Sequence, residues 1–391
     1  MVVLFGSRSC EHDVSIVSAV QWMAAADPEK YNVIPVYISR DGAWYAGQPL
    51  RKLETFRPFK GESEFVLRVL PDLTGGTRSL LAYEDRPRLF GSHKPKAVAK
   101  IDVAVPIFHG LNGEDGSMQG VLELMNVPYT SSGLVGSAVG MDKIAMKQLF
   151  RGCGFPVLTN VWFARGAWDQ GPDAILSEIE REIGFPCFVK PANLGSSIGI
   201  SKARDLETLR HAMEVAFEYD RRVLVEPGVE QPLEINCSAM GFENDVTASV
   251  CEMPVSWEDF LTFDEKYIAN AKGGKGGMAN LKHQIPAPIG DALTVRIQDL
   301  TRDIFRALDC KGVVRVDFLL DRTSEMLYVN EINTIPGSLA FPLWEPMGIP
   351  YPKLIDQLVE YAERAHAEKN RASFGFDSTI LQSASLGGMK K

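Results

Sequence analysis

Val313-Val314-Arg315-Val316-Asp317-Phe318-Leu319-Leu320 is followed, across the polar stretch from Asp321 to Glu325, by Leu327-Tyr328-Val329-Asn330-Glu331-Ile332-Asn333. Both segments are rich in β-branched and aromatic residues on either side of a polar turn, so they read as paired antiparallel strands. Alternation along a strand puts Arg315 and Asp317 on one face and Glu331 and Asn333 on one face. A turn centred near Thr323 sets Arg315 opposite Glu331. Two carboxylates and an amide oxygen beside a cation suit Mg²⁺, which takes oxygen ligands and fills its shell with water and substrate phosphates. On an isolated hairpin the same residues are equally a cross-strand salt bridge on a solvated face, so the choice falls to the rest of the chain.

Upstream lies Phe188-Val189-Lys190-Pro191-Ala192-Asn193-Leu194-Gly195-Ser196-Ser197-Ile198-Gly199. A lysine ending an apolar strand, followed by glycines and serines that offer N–H and hydroxyl donors, makes a cradle for polyphosphate oxygens. The G-x-x-x-x-G-K-[ST] order of a P-loop is absent. Gly195 to Gly199 also fits G-x-S-x-G, the nucleophile elbow of a serine hydrolase with Ser197 as nucleophile, but neither His283 nor His366 has an evident orienting context. A plain turn is the bland alternative. Gly274-Lys275-Gly276-Gly277-Met278-Ala279 matches G-x-G-x-x-A without a preceding strand, which argues against a dinucleotide fingerprint. A third piece, Val223-Leu224-Val225-Glu226-Pro227-Gly228, ends an apolar strand in a carboxylate, with Glu234 eight residues on. Such a carboxylate accepts from an exocyclic amine or a sugar hydroxyl, although alone it reads as a solvated strand end. Lysine cradle, carboxylate and magnesium face together describe a nucleotide slot between two α+β lobes.

The N-terminal part has a different pattern. Val2-Val3-Leu4-Phe5 ends at Gly6 and is followed by a polar loop and a helical run through Val14 to Met23; further strands lie at residues 33–38 and 103–108. Strand, glycine loop and helix suggest an α/β layer with a parallel sheet whose strand ends carry function. Residues 50–95 are polar and weakly patterned and read as an insertion. The expected division is an N-terminal α/β substrate domain at 1–133, a central lobe at 134–225, a C-terminal lobe at 226–368 carrying metal and catalytic residues, and a polar extension at 369–391. The last lobe should hold a helix at 291–308, the hairpin, and a closing helix at 352–368.

Composition agrees with such a protein. The 391 residues are 45% hydrophobic and 23% charged, near the average for globular proteins and unlike disordered or disulfide-scaffold chains. The formal charge of −9, from 41 basic and 50 acidic residues, argues against a general grip on nucleic acid or anionic membrane. Six scattered cysteines without C-x-x-C spacing read as reduced thiols. No basic leader precedes the apolar start, and no run approaches the roughly 18 apolar residues of a span, so the expected location is the cytoplasm.

These residues together resemble the ATP-grasp enzymes, and within them the D-alanine-D-alanine ligases, over almost the whole chain. The matching pieces are Gly6 to Ser15, His109-Gly110-Leu111-Asn112-Gly113-Glu114-Asp115-Gly116, Gly140-Met141-Asp142-Lys143, the Lys190 to Gly199 loop, Phe263-Asp264-Glu265-Lys266-Tyr267, Arg315-Val316-Asp317, and Asn330 to Gly337. The resemblance implies a three-domain ATP-grasp fold enclosing ATP between the central and C-terminal lobes. It implies a ligase that joins two D-alanines through a D-alanyl phosphate for peptidoglycan precursor. Lys143 and Lys190 would hold phosphates, Glu226 the adenine amine and Glu234 the ribose, while Ser197 and Lys266 would line the ATP slot. Asp317, Glu331 and Asn333 would ligate two Mg²⁺ ions, or Mn²⁺. Glu11 would pair with the first D-alanine ammonium beside His109, and Arg315 would stabilise the tetrahedral oxyanion. Ser196, Glu11 and Tyr267 would close the Lys266-bearing loop over the site. The family is commonly dimeric, which implies a homodimer.

Two stretches depart from the family pattern. After Gly337 the chain reads Ser338-Leu339-Ala340-Phe341-Pro342-Leu343-Trp344-Glu345, shorter than usual and without the serine that receives the second substrate's carboxylate. Ser338 is either its replacement or a structural turn residue. The closing loop carries the extra Lys272-Gly273-Gly274-Lys275-Gly276-Gly277. The second substrate is accordingly D-alanine, D-serine or another acceptor; the retained Tyr267 favours an amine.

Overall fold

The apolar run at the N-terminus forms β1 (Val2–Gly6), buried at every position, as a strand covered on both faces must be. Val3 and Phe5 enter one core with Trp22 and Leu354, and Val2 and Leu4 enter another with Leu122 and Tyr129. Helix α1 (His12–Ala25) leads to β2 (Ile34–Ile38), which pairs parallel with β1. The sheet then continues through β3 (Trp44–Ala46), β4 (Leu67–Pro71), β5 (Ser79–Ala82) and β6 (Ala97–Lys100), all antiparallel, while β7 (Ala104–Ile107) flanks β1 in parallel on the other side. The order is β6-β5-β4-β3-β2-β1-β7. The structure, a computed structural model, describes residues 1–74, 76–83, 96–255, 282–373 and 375–378.

Two expectations are corrected in this sheet. It is parallel only across β2, β1 and β7; at β2–β3 and β4–β5 the connecting residues 39–43 and 72–78 are too short for the crossover that a parallel pair needs. The stretch at 50–95 is no featureless insertion, since β4 and β5 extend the sheet.

Helices α2 (Ser117–Leu124), α3 (Leu134–Met141) and α4 (Lys143–Gly152) lead into the second sheet. It comprises β8 (Val161–Ala164), β9 (Cys187–Pro191), β10 (Ser201–Ala203) and β11 (Arg222–Pro227) in the order β10-β9-β11-β8. Helices α5 (Arg165–Gln170), α6 (Pro172–Glu182) and α7 (Leu206–Tyr219) accompany it. α7 begins at a capping box in which the Asp205 carboxylate accepts from Thr208 N and the Thr208 hydroxyl accepts from Asp205 N, two otherwise orphaned donors satisfied at once. Strand β11 runs through the expected 225/226 limit to Pro227, and Met146 and Phe150 of α4 pack into the core of the third sheet.

That third sheet holds β12 (Pro232–Phe242), β13 (Asp245–Val255), β14 (Lys282–Gln284), β15 (Lys311–Asp321) and β16 (Leu327–Asn333), ordered β14-β13-β12-β15-β16. The β12–β13 hairpin was not expected; its signal is the turn at Glu243-Asn244, where Glu243 has φ 52°, between two alternating segments. Helices α8 (Asp291–Ala307) and α9 (Tyr351–Lys369) fall where the sequence sets them. Of the extension, residues 375–378 are exposed. Among the described residues no helix is long and apolar enough to cross a membrane.

The β15–β16 register corrects one further expectation. Asp317 stands opposite Glu331 and Arg315 opposite Asn333, with a shift between Asp317 and Phe318 that leaves Asn330 without a partner across the ladder. One extra residue on β16 is a β-bulge, which moves the pairing and re-aims a side chain.

Candidate active site

The β12–β15–β16 face gathers the polar residues. Asn236 of β12 lies opposite Asp317, which in turn lies opposite Glu331, so three strands bring oxygen donors into one row. The other face is apolar, with Ile235, Cys237, Val316 and Phe318 in the core. Arg315 holds Asp317 in a two-pronged fork, Nε to Oδ1 at 2.6 Å and Nη2 to Oδ2 at 2.7 Å, and Asn333 Nδ2 donates to Oδ2 at 3.0 Å. Burial opposes the Arg315 charge, but Asp317, Glu252 and Glu234 outweigh it and hold the guanidinium above its ordinary pKa. Glu252, which sequence reasoning missed, sits on β13 opposite Asn236, whose Nδ2 donates to it at 3.3 Å, and pairs with His283. Among the described residues no three or more Asp, Glu, His or Cys are arranged to hold a metal. The types and face of Asp317, Glu331 and Asn333 still fit a hard cation, two carboxylates and an amide on paired strands. A metal on Asp317 would compete with the Arg315 fork.

Lysines meet this face from the second sheet and α4. The Asp142 carboxylate caps α4, accepting from Ile144 N at 3.1 Å and Ala145 N at 3.0 Å, which sets Lys143 at the first helical position. Lys143 Nζ donates to Leu194 O at 2.7 Å and lies 3.4 Å from Glu331 Oε2. Lys190 Nζ is 2.5 Å from Glu226 Oε1 and donates to Oδ1 of the bulged Asn330 at 3.3 Å. The second Glu226 oxygen is 2.8 Å from Lys147 Nζ. Burial alone would raise the Glu226 pKa, but the two ammoniums hold it down at about 2. Sequence reasoning missed Lys147; its signal was a lysine one helical turn after Lys143 within the buried stripe Ile144, Met146 and Phe150. Glu234 projects from β12 at Leu319 of β15.

A third group closes from the N-terminal domain. The Ser196 hydroxyl donates to Glu11 Oε1, joining the loop after β9 to the residue that precedes α1. Two glycines make room for this carboxylate: a Cβ at Gly110, where φ is +76°, or at Gly195 would lie 2.7 Å from Glu11 Oε2. Ser196 and Ser197 have φ of 52° and 59°, a region that non-glycine residues occupy at a cost. The Ser197 hydrolase reading is overturned here, because β9 passes through this loop to its antiparallel neighbour β10, whereas a nucleophile elbow leads from strand to helix. Glu114, also missed, accepts from Gly110 N at 2.9 Å and from Ile335 N at 3.0 Å, tying the His109 loop to the segment after β16. Burial, aided by Glu11, pushes its pKa up to about 8 against those two hydrogen bonds.

His109 is buried with its Nε2 3.0 Å from the Ser18 hydroxyl. Burial lowers its pKa to about 4, with Arg315 adding to the effect. A depressed histidine pKa means that the unfolded chain binds more protons between about 4 and 6.5, so this contribution to stability is present above pH 6.5 and lost as pH falls through 4. His109→Gln should therefore show a flatter fall in urea midpoint from pH 7 to pH 4.5 than the parent chain; equal slopes would refute a neutral buried His109.

Ser338 lies in the 3-10 segment Gly337–Leu343, where Ser338, Leu339 and Ala340 have φ of 47°, 54° and 52°. Its hydroxyl donates to Gln21 Oε1 of α1 at 2.8 Å, a partner that sequence reasoning missed. Lys266, Tyr267 and the Lys272 to Gly277 insertion lie outside the described residues.

Comparison with known proteins covers the same ground. A family model described as "D-ala D-ala ligase N-terminus" matches residues 1–132, and one described as "D-ala D-ala ligase C-terminus" matches residues 149–360. A D-alanine--D-alanine ligase of Bacillus velezensis is 38% identical over 374 residues, covering 94% of this chain and 98% of its own. One from Heliobacterium modesticaldum is 40% identical over 377 residues, covering 95% and 96%. Among solved structures, the D-Ala:D-Ser ligase VanG of Enterococcus faecalis superposes with a TM-score of 0.76 at 28% identity over 92% of this chain and 98% of that one. The D-alanine-D-alanine ligase of Coxiella burnetii gives 0.75 at 27%, covering 95% and 96%.

Proposed function

The chain belongs to the D-alanine-D-alanine ligase family, and from that premise we infer that it uses ATP to join two D-alanines into D-alanyl-D-alanine for peptidoglycan precursor. It has the ATP-grasp fold of that family. The observation that carries the reading is the convergence of Lys143, Lys190, Glu226 and the Arg315–Asp317–Glu331–Asn333 face on one place. We assign one domain to each sheet, with the nucleotide between the second and third.

Lys143 and Lys190 neutralise the phosphates, in a transfer where the protein mainly positions reactants and stabilises charge. Glu226 accepts from the adenine amine and Glu234 from the ribose, with Ser197 and Lys266 lining the slot. Asp317, Glu331 and Asn333 hold two Mg²⁺ or Mn²⁺ ions, which when bound offset the charge of the transferring phosphoryl group. The buried Glu11 carboxylate pairs with the first D-alanine's ammonium, and neutral His109 lies beside it.

The first D-alanine carboxylate attacks the γ-phosphorus, ADP leaves and an acyl phosphate forms. The second D-alanine's free amine attacks the acyl carbon, its proton is lost and inorganic phosphate departs. Arg315 stabilises the oxyanion between those events. Ser196, Glu11 and Tyr267 hold the closing loop shut against water, since an exposed acyl phosphate would hydrolyse. The enzyme works as a cytoplasmic homodimer.

A second reading, D-serine as acceptor, is favoured by one feature. The short turn after Gly337 puts Ser338 on Gln21 instead of continuing to the family's usual serine. Phosphate release with Mg-ATP and D-alanine, repeated with D-serine or D-lactate and read by product mass, tests both. D-alanyl-D-alanine as main product is the expected result. A mixed dipeptide would move the acceptor to D-serine, and release independent of any amino acid would overturn the ligase.

A further inference from the structure

Helix α4 is fastened to β11 at two points. Asp142, at its N-terminus, pairs with Arg222, and Lys147, a turn further on, pairs with Glu226. Arg222 and Glu226 stand four residues apart on one strand and so point to the same face. The Lys147 and Glu226 side chains are 1% and 2% exposed, and Lys190 beside them is 9% exposed. Glu226 thus has one oxygen on each of two lysines, Lys147 at 2.8 Å and Lys190 at 2.5 Å.

The charge count makes this more than a docking contact. Two ammoniums against one carboxylate leave the buried group with a surplus positive charge, and Lys190 is the member that also reaches Asn330 on the polar face. Without Lys147, Glu226 would neutralise Lys190 outright, and in a poorly solvated slot that lost charge is weakly screened.

We propose that Lys147 is a positioning residue for the nucleotide: by taking one oxygen of Glu226 it leaves part of the Lys190 charge for the ATP phosphates. This rests on the reading that Lys190 faces those phosphates. Lys147 itself touches no phosphate; it acts through Glu226. The surplus also has a cost, since burial and Lys190 both pull the Lys147 pKa down against the attraction of Glu226.

The test is ATP affinity of the full chain by calorimetry, with steady-state kinetics alongside. Lys147→Met should weaken ATP binding about tenfold and raise the KM for ATP, with kcat and the KM for D-alanine changed less than about twofold; Lys147→Arg should restore most of the loss. In a Glu226→Gln background, where no carboxylate competes for Lys190, adding Lys147→Met should change affinity by less than about twofold. Removing one partner of a buried pair can unfold a protein, and in that event Lys147→Gln, which loses the charge but keeps a donor toward Glu226, takes the place of Lys147→Met in both backgrounds with the same expected outcomes. Parental affinity in folded Lys147→Met, or an equal loss in both backgrounds, would reduce Lys147 to a packing contact. Failure of the parent chain to bind ATP would instead remove the reading on which this rests.

Discussion

Glu331→Gln is expected to lower kcat by roughly three orders of magnitude while leaving the fold and its melting temperature nearly unchanged. The fold should survive because the Glu331 side chain is 29% exposed and its ion pair to Lys143 is 3.4 Å long; a glutamine has almost the same volume. The chemistry should not survive, because Glu331 stands opposite Asp317 and contributes one of only two carboxylates in the assigned cation set. A metal that holds the transferring phosphoryl group is worth several kcal/mol of transition-state stabilisation, and a neutral ligand gives much of that up. Phosphate release at saturating ATP and D-alanine, measured over a range of Mg²⁺, checks it. Near-parental rates at ordinary Mg²⁺ would remove Glu331 from the metal site.

Arg315→Lys should cost about a hundredfold in kcat, even though the charge is kept. Lysine cannot reproduce the planar fork, and here the fork makes two bonds of 2.6 and 2.7 Å to Asp317. Loss of the fork has two consequences that separate in experiment. Asp317 is 3% exposed, so its weakened pairing should lower the melting temperature by a few degrees, consistent with about 1 to 2 kcal/mol. Oxyanion stabilisation is needed only after the acyl phosphate has formed, so ATP affinity should stay within about threefold while peptide formation falls. A variant that loses ATP binding and kcat in equal measure would place Arg315 on the nucleotide instead of the acyl centre.

Much of the site was legible because its residues sit at strand ends and on one face of a hairpin. Strand alternation alone put Arg315, Asp317, Glu331 and Asn333 together. An apolar strand running into Lys190, and another into Glu226, marked where the second sheet meets its loops, and the registers pair Leu224 of β11 with Lys190 of β9. The register of the hairpin was not legible: its turn end pairs Phe318 with Val329, one residue away from the expected register, and the bulged Asn330 adds one more, so that Arg315 faces Asn333 instead of Glu331. Nothing in the local pattern marks a bulge; it is set by what the two strands pack against.

The roles of Lys147, Glu114 and Gln21 were hidden for a different reason. Each is an ordinary polar residue on or beside a helix, and each meets a partner far away in the chain: Glu226, Ile335 and Ser338. The sequence by itself determined the element types, the family and the identities of the residues that carry charge, because periodicity and motif spacing are local properties of the chain. Only the tertiary structure decided which charges share a buried volume, and that decides their pKa and their use. Glu226 is held down at about 2 by two lysines and Glu114 is driven up to about 8 by burial beside Glu11, the same side chain sent in opposite directions by the company it keeps.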